Sequence, residues 1–280
     1  MEPAPLRGNV GSRRIVAVRG QEAFERADRL ASEEPMEIRA AGPGQDPSRV
    51  AVTMRTPGND FELAAGFLFT EGLLGGAAEI SEIAYCQLPE EEQRYNVVTV
   101  RLTRPFDPAV LQRNFYATSS CGICGKASIE QVEVRCEPLS EGPTVARSTV
   151  VGLPEALRGA QRIFEQTGGL HAAGLFDPDG RLLSLREDVG RHNALDKLAG
   201  QAVLSGSTPL YDRILLVSGR ASFELVQKAA VAGLPVLCAV SAPSTLAVET
   251  AERLGMTLVG FLRGQSFNVY SHPSRIALDA

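Results

Sequence analysis

Arg213-Ile214-Leu215-Leu216-Val217-Ser218-Gly219-Arg220 is an apolar run that stops abruptly at two small residues and a cation. The run 213–217 reads as a buried strand. The pattern returns twice downstream. Residues 236–240 end in Ser241-Ala242-Pro243-Ser244, and 258–261 end in Leu262-Arg263-Gly264-Gln265. Helical periodicity fills the gaps, over 223–230 and 245–253, and a last strand follows over 267–270. Apolar strands alternating with helices predict an α/β layer with a largely parallel sheet. Ligands of such sheets collect outside the carboxyl ends of the strands, where Ser218-Gly219-Arg220, Ser241–Ser244 and the 262–265 stretch all fall.

Upstream of this layer, 172–176 and 181–185 flank Asp177-Pro178-Asp179-Gly180, a hairpin signal. A helix over 193–202 follows Glu187-Asp188-Val189-Gly190-Arg191-His192, and Pro154 opens another over 156–166. The N-terminal part reads as α+β. Strands are expected over 14–19, 37–40, 49–54, 80–85 and 95–102. A helix capped by Asn59 or Asp60 carries an apolar stripe of Phe61, Ala64, Ala65, Leu68 and Phe69, with Gly72 near its end. A short helix is expected from Asp107, and 127–134 is ambiguous between helix and strand. Residues 137–148, with Pro138, Gly142 and Pro143, look like a linker. The division is therefore a disordered tail over 1–12, an N-terminal domain over 13–145 and a C-terminal domain over 146–280.

The bulk numbers exclude several classes. A chain of 280 residues with 44% hydrophobic and 22% charged residues is an ordinary globular composition. The net charge of −5 gives no general basis for nucleic-acid binding. No apolar run reaches membrane-spanning length, and Met1-Glu2-Pro3-Ala4-Pro5 is not a signal peptide. Five cysteines, at 86, 121, 124, 136 and 238, are too few and too scattered for a disulfide scaffold and fit a reducing cytoplasm.

Chemistry concentrates in Ser120-Cys121-Gly122-Ile123-Cys124-Gly125-Lys126. Two thiols three residues apart can act on one atom or exchange with each other. The glycines give a partner close access, and Lys126 favours the thiolate, which is the reactive form. A reactive dithiol is the leading reading. A thioredoxin-like dithiol–disulfide oxidoreductase and a zinc-binding, non-catalytic module completed by Cys136 or a distant histidine are the alternatives. Zinc deaminase chemistry is disfavoured, because no histidine precedes Cys121 and Ser120 stands where that motif has proline. A phosphate loop at Gly125-Lys126 lacks its upstream glycine and its Ser or Thr. Arg191 and His192 at a helix start, and Arg220 at the sheet edge, are candidate anion-binding residues. Lys228 reads as solvated. His171, His272, Cys86, Cys136 and Cys238 read as structural.

Taken together, Ser120–Gly125, Glu187-Asp188-Val189-Gly190-Arg191-His192-Asn193-Ala194-Leu195-Asp196-Lys197, Ser218-Gly219-Arg220-Ala221-Ser222-Phe223-Glu224, Ser241-Ala242-Pro243-Ser244-Thr245-Leu246-Ala247 and the ending over 258–273 resemble the FdhD-type sulfur carriers needed for formate dehydrogenase. The resemblance implies a sulfurtransferase for the molybdenum (or tungsten) cofactor in its bis-guanine-dinucleotide form. Cys121 would match the persulfide-bearing cysteine and Cys124 its companion. Phe261, Leu262, Arg263, Gly264, Gln265 and Ser266 would match the cofactor-binding segment, where Gly264 and Ser266 replace a frequent proline and basic residue. It further implies a cysteine desulfurase as donor, formate dehydrogenase as recipient, a GDP-like nucleotide as a mimic of the cofactor, no catalytic zinc and a homodimer. The C-terminal part would share the cytidine deaminase fold without its zinc site.

Overall fold

The computed structural model describes residues 8–86, 95–107, 136, 138–139 and 142–278. Cys121 and Cys124, the helix expected beyond Asp107 and the ambiguous stretch 127–134 lie outside these residues.

The chain begins with a two-stranded antiparallel ribbon, β1 (Val10–Arg19) and β2 (Glu22–Ala31). β1 starts at Val10, so residues 10–12 are strand rather than tail. β2, Glu-Ala-Phe-Glu-Arg-Ala-Asp-Arg-Leu-Ala, gives no apolar alternation and lacks a core face: almost all of it is exposed. The ribbon pairs with no other described strand.

Four strands form the next sheet, in the order β4 (Ser48–Arg55), β3 (Glu34–Ala41), β6 (Val97–Leu102), β5 (Ile80–Tyr85). The β3–β6 pair is parallel and the other two are antiparallel. Against this sheet lies α1 (Asp60–Thr70), buried continuously from Leu63. Neither expected side-chain cap forms. Asn59 takes a left-handed conformation, φ 57°, and its carbonyl accepts the Leu63 amide; Asp60 instead pairs with Arg55.

In the C-terminal part β7 (Val145–Ala146) pairs with β14 (Ile276–Ala277). Helix α2 (Arg147–Ala160) starts inside the expected linker and carries Pro154 in its middle. At Gln161 the backbone leaves the helical region (φ −77°, ψ 79°), and α3 (Arg162–Thr167) is a separate turn of helix. Its first amides find their acceptor 24 and 23 residues away. Ile163 and Phe164 donate to the Glu187 carboxylate at 3.0 and 2.8 Å. An acid at a helix start is favoured by the dipole as well as by these bonds.

The main sheet runs β13 (Ser266–Ser271), β12 (Thr257–Arg263), β11 (Val236–Ala239), β10 (Ile214–Val217), β8 (His171–Phe176), β9 (Leu182–Asp188). Only β10–β11 and β11–β12 are parallel, so two pairings of five are, and the sheet is mixed rather than largely parallel. The strand–helix units around α5 (Phe223–Val231) and α6 (Thr245–Arg253) supply the parallel centre; hairpins close both sides.

Alternation along β10 places the cores. Ile214 and Leu216 face α2, in a cluster with Val150, Leu153 and Leu157. Leu215 and Val217 face the other way. There they join α5, α1, the N-terminal sheet and α4 (Arg191–Leu204) in one larger cluster. The apolar core is thus continuous across residue 145, and the two halves share it. Each fully buried leucine in it contributes about 2 kcal/mol of transfer free energy. Helices α1 and α4 cross at two glycines. A Cβ on Gly66 would sit 1.8 Å from the Asp196 carbonyl oxygen, and one on Gly200 would sit 1.8 Å from that of Glu62.

Candidate functional site

Most of the Glu187–Lys197 motif holds the fold together. Glu187 caps α3. Asp188, wholly buried, pairs with Lys197 at 2.7 Å and accepts from the amides of Thr56 and Gly190 and from Asn193. Asn193 also donates to the Met54 carbonyl at 2.7 Å, and Lys197 to that of Thr56 at 2.8 Å. Arg186 makes a two-pronged pair with Glu62 at 2.5 and 2.7 Å. Asp196 accepts from Thr70 and Lys228. These contacts tie the N-terminal half to β9 and α4 and leave Arg191 and His192 as the motif's residues for a ligand. Lys228 is not solvated. It is 5% exposed and within 3.0 Å of Asp196, Glu71 and Thr70, whose two carboxylates outweigh the cost of burial and raise its pKa.

The helix and strand ends then converge. Beyond β10, Ser218 accepts the Ala172 amide through Oγ at 2.9 Å and donates its own amide to the Ala172 carbonyl. Gly219 lies against His171: an added Cβ would meet Nδ1 at 3.4 Å. Arg220 is exposed and has no hydrogen-bond or ion-pair partner among the described residues. Ala221 bridges to Pro243, and the Phe261 amide donates to Ser241, so the ends of β10, β11 and β12 are laced together. With β11 between them, the β10 and β12 ends stand roughly 10 Å apart by strand spacing.

At the start of α4, His192 Nε2 lies 3.2 Å from Ser222 Oγ and 3.6 Å from Glu224. The hydrogen bond from His192 brings the Glu224 carboxyl down to about 2, against the pull of partial burial. His171 is shifted the other way: burial lowers its pKa, and the charges of Arg191 and His192 lower it further, so its ring is neutral at pH 7. Glu224 contributes stability that is full above its ordinary value of 4.5 and is lost as pH falls through about 2. In His192→Ala the Glu224 carboxyl carbon, followed by NMR, is expected to titrate above about 2, shifted towards its ordinary value of 4.5. An unchanged midpoint near 2 would show that His192 is not the cause.

The segment expected to bind cofactor divides into two roles. Phe261 is 42% exposed and held at φ 52°, in an irregular stretch of the β12–β13 pairing. Non-glycine residues kept in such conformations cost about 1–3 kcal/mol and gather at functional sites. Leu262 is 0% exposed, its side chain in the α2-side core, so only its backbone is available to a ligand. Arg263 donates from Nε to the Val240 carbonyl at 3.0 Å, while Gly264 (φ 53°), Gln265 and Ser266 form an exposed turn. Of the histidines, His272 bonds the Glu252 carbonyl at 2.8 Å. The Cys238 thiol, sealed in the core, is pushed up to about 12 by burial. Among the described residues no cluster of three His, Cys, Asp or Glu side chains could hold a metal, and no helix is long and apolar enough to cross a membrane.

Beside this edge lies a cavity of about 500 Å3 that the sequence did not disclose. Leu157, Phe164, Leu170 and Val240 wall it, and Gln161, His171 and Ser218 also line it. The helix break at Gln161 that shapes it depends on the Glu187 carboxylate, a contact with no local signature.

Comparison with known proteins sets this arrangement in context. The profile of the FdhD/NarQ family matches residues 31–277. A protein of Streptomyces avermitilis named "Sulfur carrier protein FdhD" is 53% identical over 276 residues, 96% of each chain. A protein of the same name from Saccharolobus solfataricus is 40% identical over 262 residues, 94% of this chain and 96% of that one. A crystal structure from Desulfotalea psychrophila, provisionally described as a formate dehydrogenase accessory protein, superposes with a TM-score of 0.72 at 26% identity. It covers 98% of this chain and all of that one.

Proposed function

Because this chain belongs to the FdhD/NarQ family, we propose that it carries sulfur from a cysteine desulfurase to the bis-guanine-dinucleotide molybdenum or tungsten cofactor of formate dehydrogenase. The observation that carries this reading is the 53% identity, over nearly the whole of both chains, to a protein named as a sulfur carrier. The exposed Arg220, which has no ion-pair partner among the described residues, and the presented ring of Phe261 at one sheet edge support it, as they suit a phosphate-bearing, partly aromatic cargo. The chain acts in the cytoplasm, as a homodimer, and a GDP-like nucleotide serves as a mimic of the cargo.

In the loading step the Cys121 thiolate attacks the outer sulfur of the desulfurase persulfide. A sulfur–sulfur bond forms on Cys121, the donor's own bond breaks, and the donor cysteine leaves as a thiolate. Persulfidation is reversible, so the sulfur stays transferable. In one route of discharge Cys124 attacks the Cys121 sulfur and sulfide leaves towards the metal. The resulting disulfide is then reset by an external dithiol, which supplies two electrons. In the other, Cys124 takes the outer sulfur and relays it. The nucleotide-holding edge raises the local concentration of acceptor beside the loop, a proximity effect.

The test is the intact mass after incubation with a cysteine desulfurase and cysteine. One added sulfur, reversed by dithiothreitol and mapped to the peptide with Cys121 and Cys124, is expected. It is absent from Cys121→Ala, which also leaves formate dehydrogenase without activity. A sulfur adduct of equal yield on Cys121→Ala would remove that residue from the mechanism. A stable internal disulfide with no adduct would favour redox exchange instead.

A further inference from the structure

The ribbon of β1 and β2 stands on the body with little to cover it. Its base is held to α3, where Arg29 donates to Gln166 at 2.9 Å. The large apolar side chains of Phe24 and Leu30 are exposed. A two-stranded ribbon is marginal by itself, and its free edges are templates for a further strand.

Backbone alternation fixes what the β2 edge offers. Gly20-Gln21 is a two-residue turn between the paired Arg19 and Glu22, and Ser32 donates its amide to the Asn9 carbonyl. Every second pair between these two is hydrogen-bonded, so the even-numbered residues of β2 bond to β1. Ala23, Glu25, Ala27, Arg29 and Ala31 direct N–H and C=O away from it, and the Arg26 guanidinium meets the outward Ala27 carbonyl at 3.5 Å. On that side β2 pairs with no described strand.

The side chains select the strand that can join this edge. When β2 runs antiparallel to a copy of itself about a two-fold axis at Ala27, Glu25 stands opposite the partner's Arg29 and Arg26 opposite the partner's Asp28. Phe24 then meets the partner's Leu30, and Ala23 the partner's Ala31. The symmetry makes each of these pairs occur twice. Opposite charges and apolar pairs directly across an antiparallel ladder stabilise it, and like charges destabilise it. The same backbone alternation allows axes at Glu25 or Arg29, but each sets a charge against its own copy. The edge of β1 cannot substitute, because its charged residues, Arg13, Arg14 and Arg19, are all cations.

We propose that two copies of this chain join edge to edge along β2, about a two-fold axis at Ala27, into a four-stranded sheet in the order β1-β2-β2-β1. The proposal rests on the reading of the chain as a homodimer and adds the surface and the register. The family profile begins at residue 31, so the ribbon's task lies outside what that match covers. The contact is the same on both chains, so it closes at two and leaves neither β2 edge open.

The test is sedimentation velocity of the full chain, with wild type expected as a dimer. Ala27→Pro removes an outward amide and spares the β1–β2 ladder, a position where an edge strand tolerates proline. Its dimer dissociation constant is expected to rise about a hundredfold, since two central hydrogen bonds are lost and a ring is set against the partner's strand. Val16→Pro, at an outward position of β1, leaves the constant unchanged. A circular dichroism spectrum like that of the wild type checks that both variants fold. Hydrogen-bonded antiparallel residues have Cα atoms about 5.5 Å apart, within disulfide reach, so Ala27→Cys is expected to give a covalent dimer on mild oxidation. Peptide mass places the link at position 27 in both chains. A wild-type dimer that Ala27→Pro leaves intact, an equal loss in Val16→Pro, or no link at position 27 would each overturn this interface and keep the homodimer reading. A wild-type chain that sediments as a monomer would overturn both.

Discussion

Gly200→Ala is expected to lower the stability of the chain by about 4 kcal/mol or more, even though alanine is the better helix former by about 1 kcal/mol. The new methyl would lie 1.8 Å from the Glu62 carbonyl oxygen, 2.7 Å from the Glu62 carbonyl carbon and 2.8 Å from the Gly66 amide nitrogen. All of these are backbone atoms, so no side chain can swing aside. The helices must separate by about 1 Å, and packing energy falls steeply with such gaps. The separation also strains the Asp196–Thr70 contact that binds the same two helices. At this chain length the melting temperature is expected to fall by about 10 °C. Gly66→Ala should behave alike, since its methyl would meet the Asp196 carbonyl at the same 1.8 Å. Thermal unfolding by circular dichroism reads the effect. A variant that melts with the wild type would show that the two helices do not approach as described.

Lys228→Leu is expected to cost about 3–5 kcal/mol, the range for removing one member of a buried ion pair. Asp196, 1% exposed, would be left facing Glu71 with Thr70 as its remaining donor. Burial raises the Asp196 pKa, and Lys228 is the main influence opposing that rise. Without the ammonium the carboxyl takes a proton in the folded state at a higher pH than in the unfolded one. Such a group contributes stability that is full below its ordinary value of 3.8 and lost as pH rises through the folded value. The gap between wild type and Lys228→Leu should therefore narrow as pH is lowered from 7 to 4. Pairing it with Asp196→Asn should recover more than half of the loss at pH 7. Urea denaturation at both pH values checks each point, and a loss independent of pH and of Asp196 would mean that only packing was removed.

The central strands were legible because their apolar runs are long enough and sharply bounded. Ile214–Val217, Val236–Ala239 and the helices between them fall where periodicity puts them. Their parallel centre followed; the antiparallel flanks did not, because strand direction depends on partners remote in sequence. β2 was illegible for a plainer reason. A strand with no buried face has no alternation to read. Lys228 was misread because a lysine on a helix is ordinarily solvated, and the carboxylates that bury it come from 157 and 32 residues away. In the candidate site Ser218 and Arg220 stand at the end of β10, where strand-end reasoning puts them, and His192, read from a helix start, meets Ser222 just beyond. Leu262 does not offer its side chain, because bulges in β12 turn it inward while Phe261 turns out. Gln161 carried no sequence signal at all. The helix breaks there, and the amides just past the break donate to Glu187, a partner remote in sequence.

The shared core has a consequence for synthesis on the ribosome. Helix α1 is enclosed only when α4 and α5, more than 120 residues later, have left the exit tunnel and folded onto it. Until then the nascent helix α1, with Leu63, Phe67 and Leu68, lacks its covering, a natural target for a holding chaperone. Severed between residues 107 and 142, the chain would behave as a split protein. Neither fragment would be stable alone, and activity would return when the two were expressed together and zipped closed along the glycine crossing.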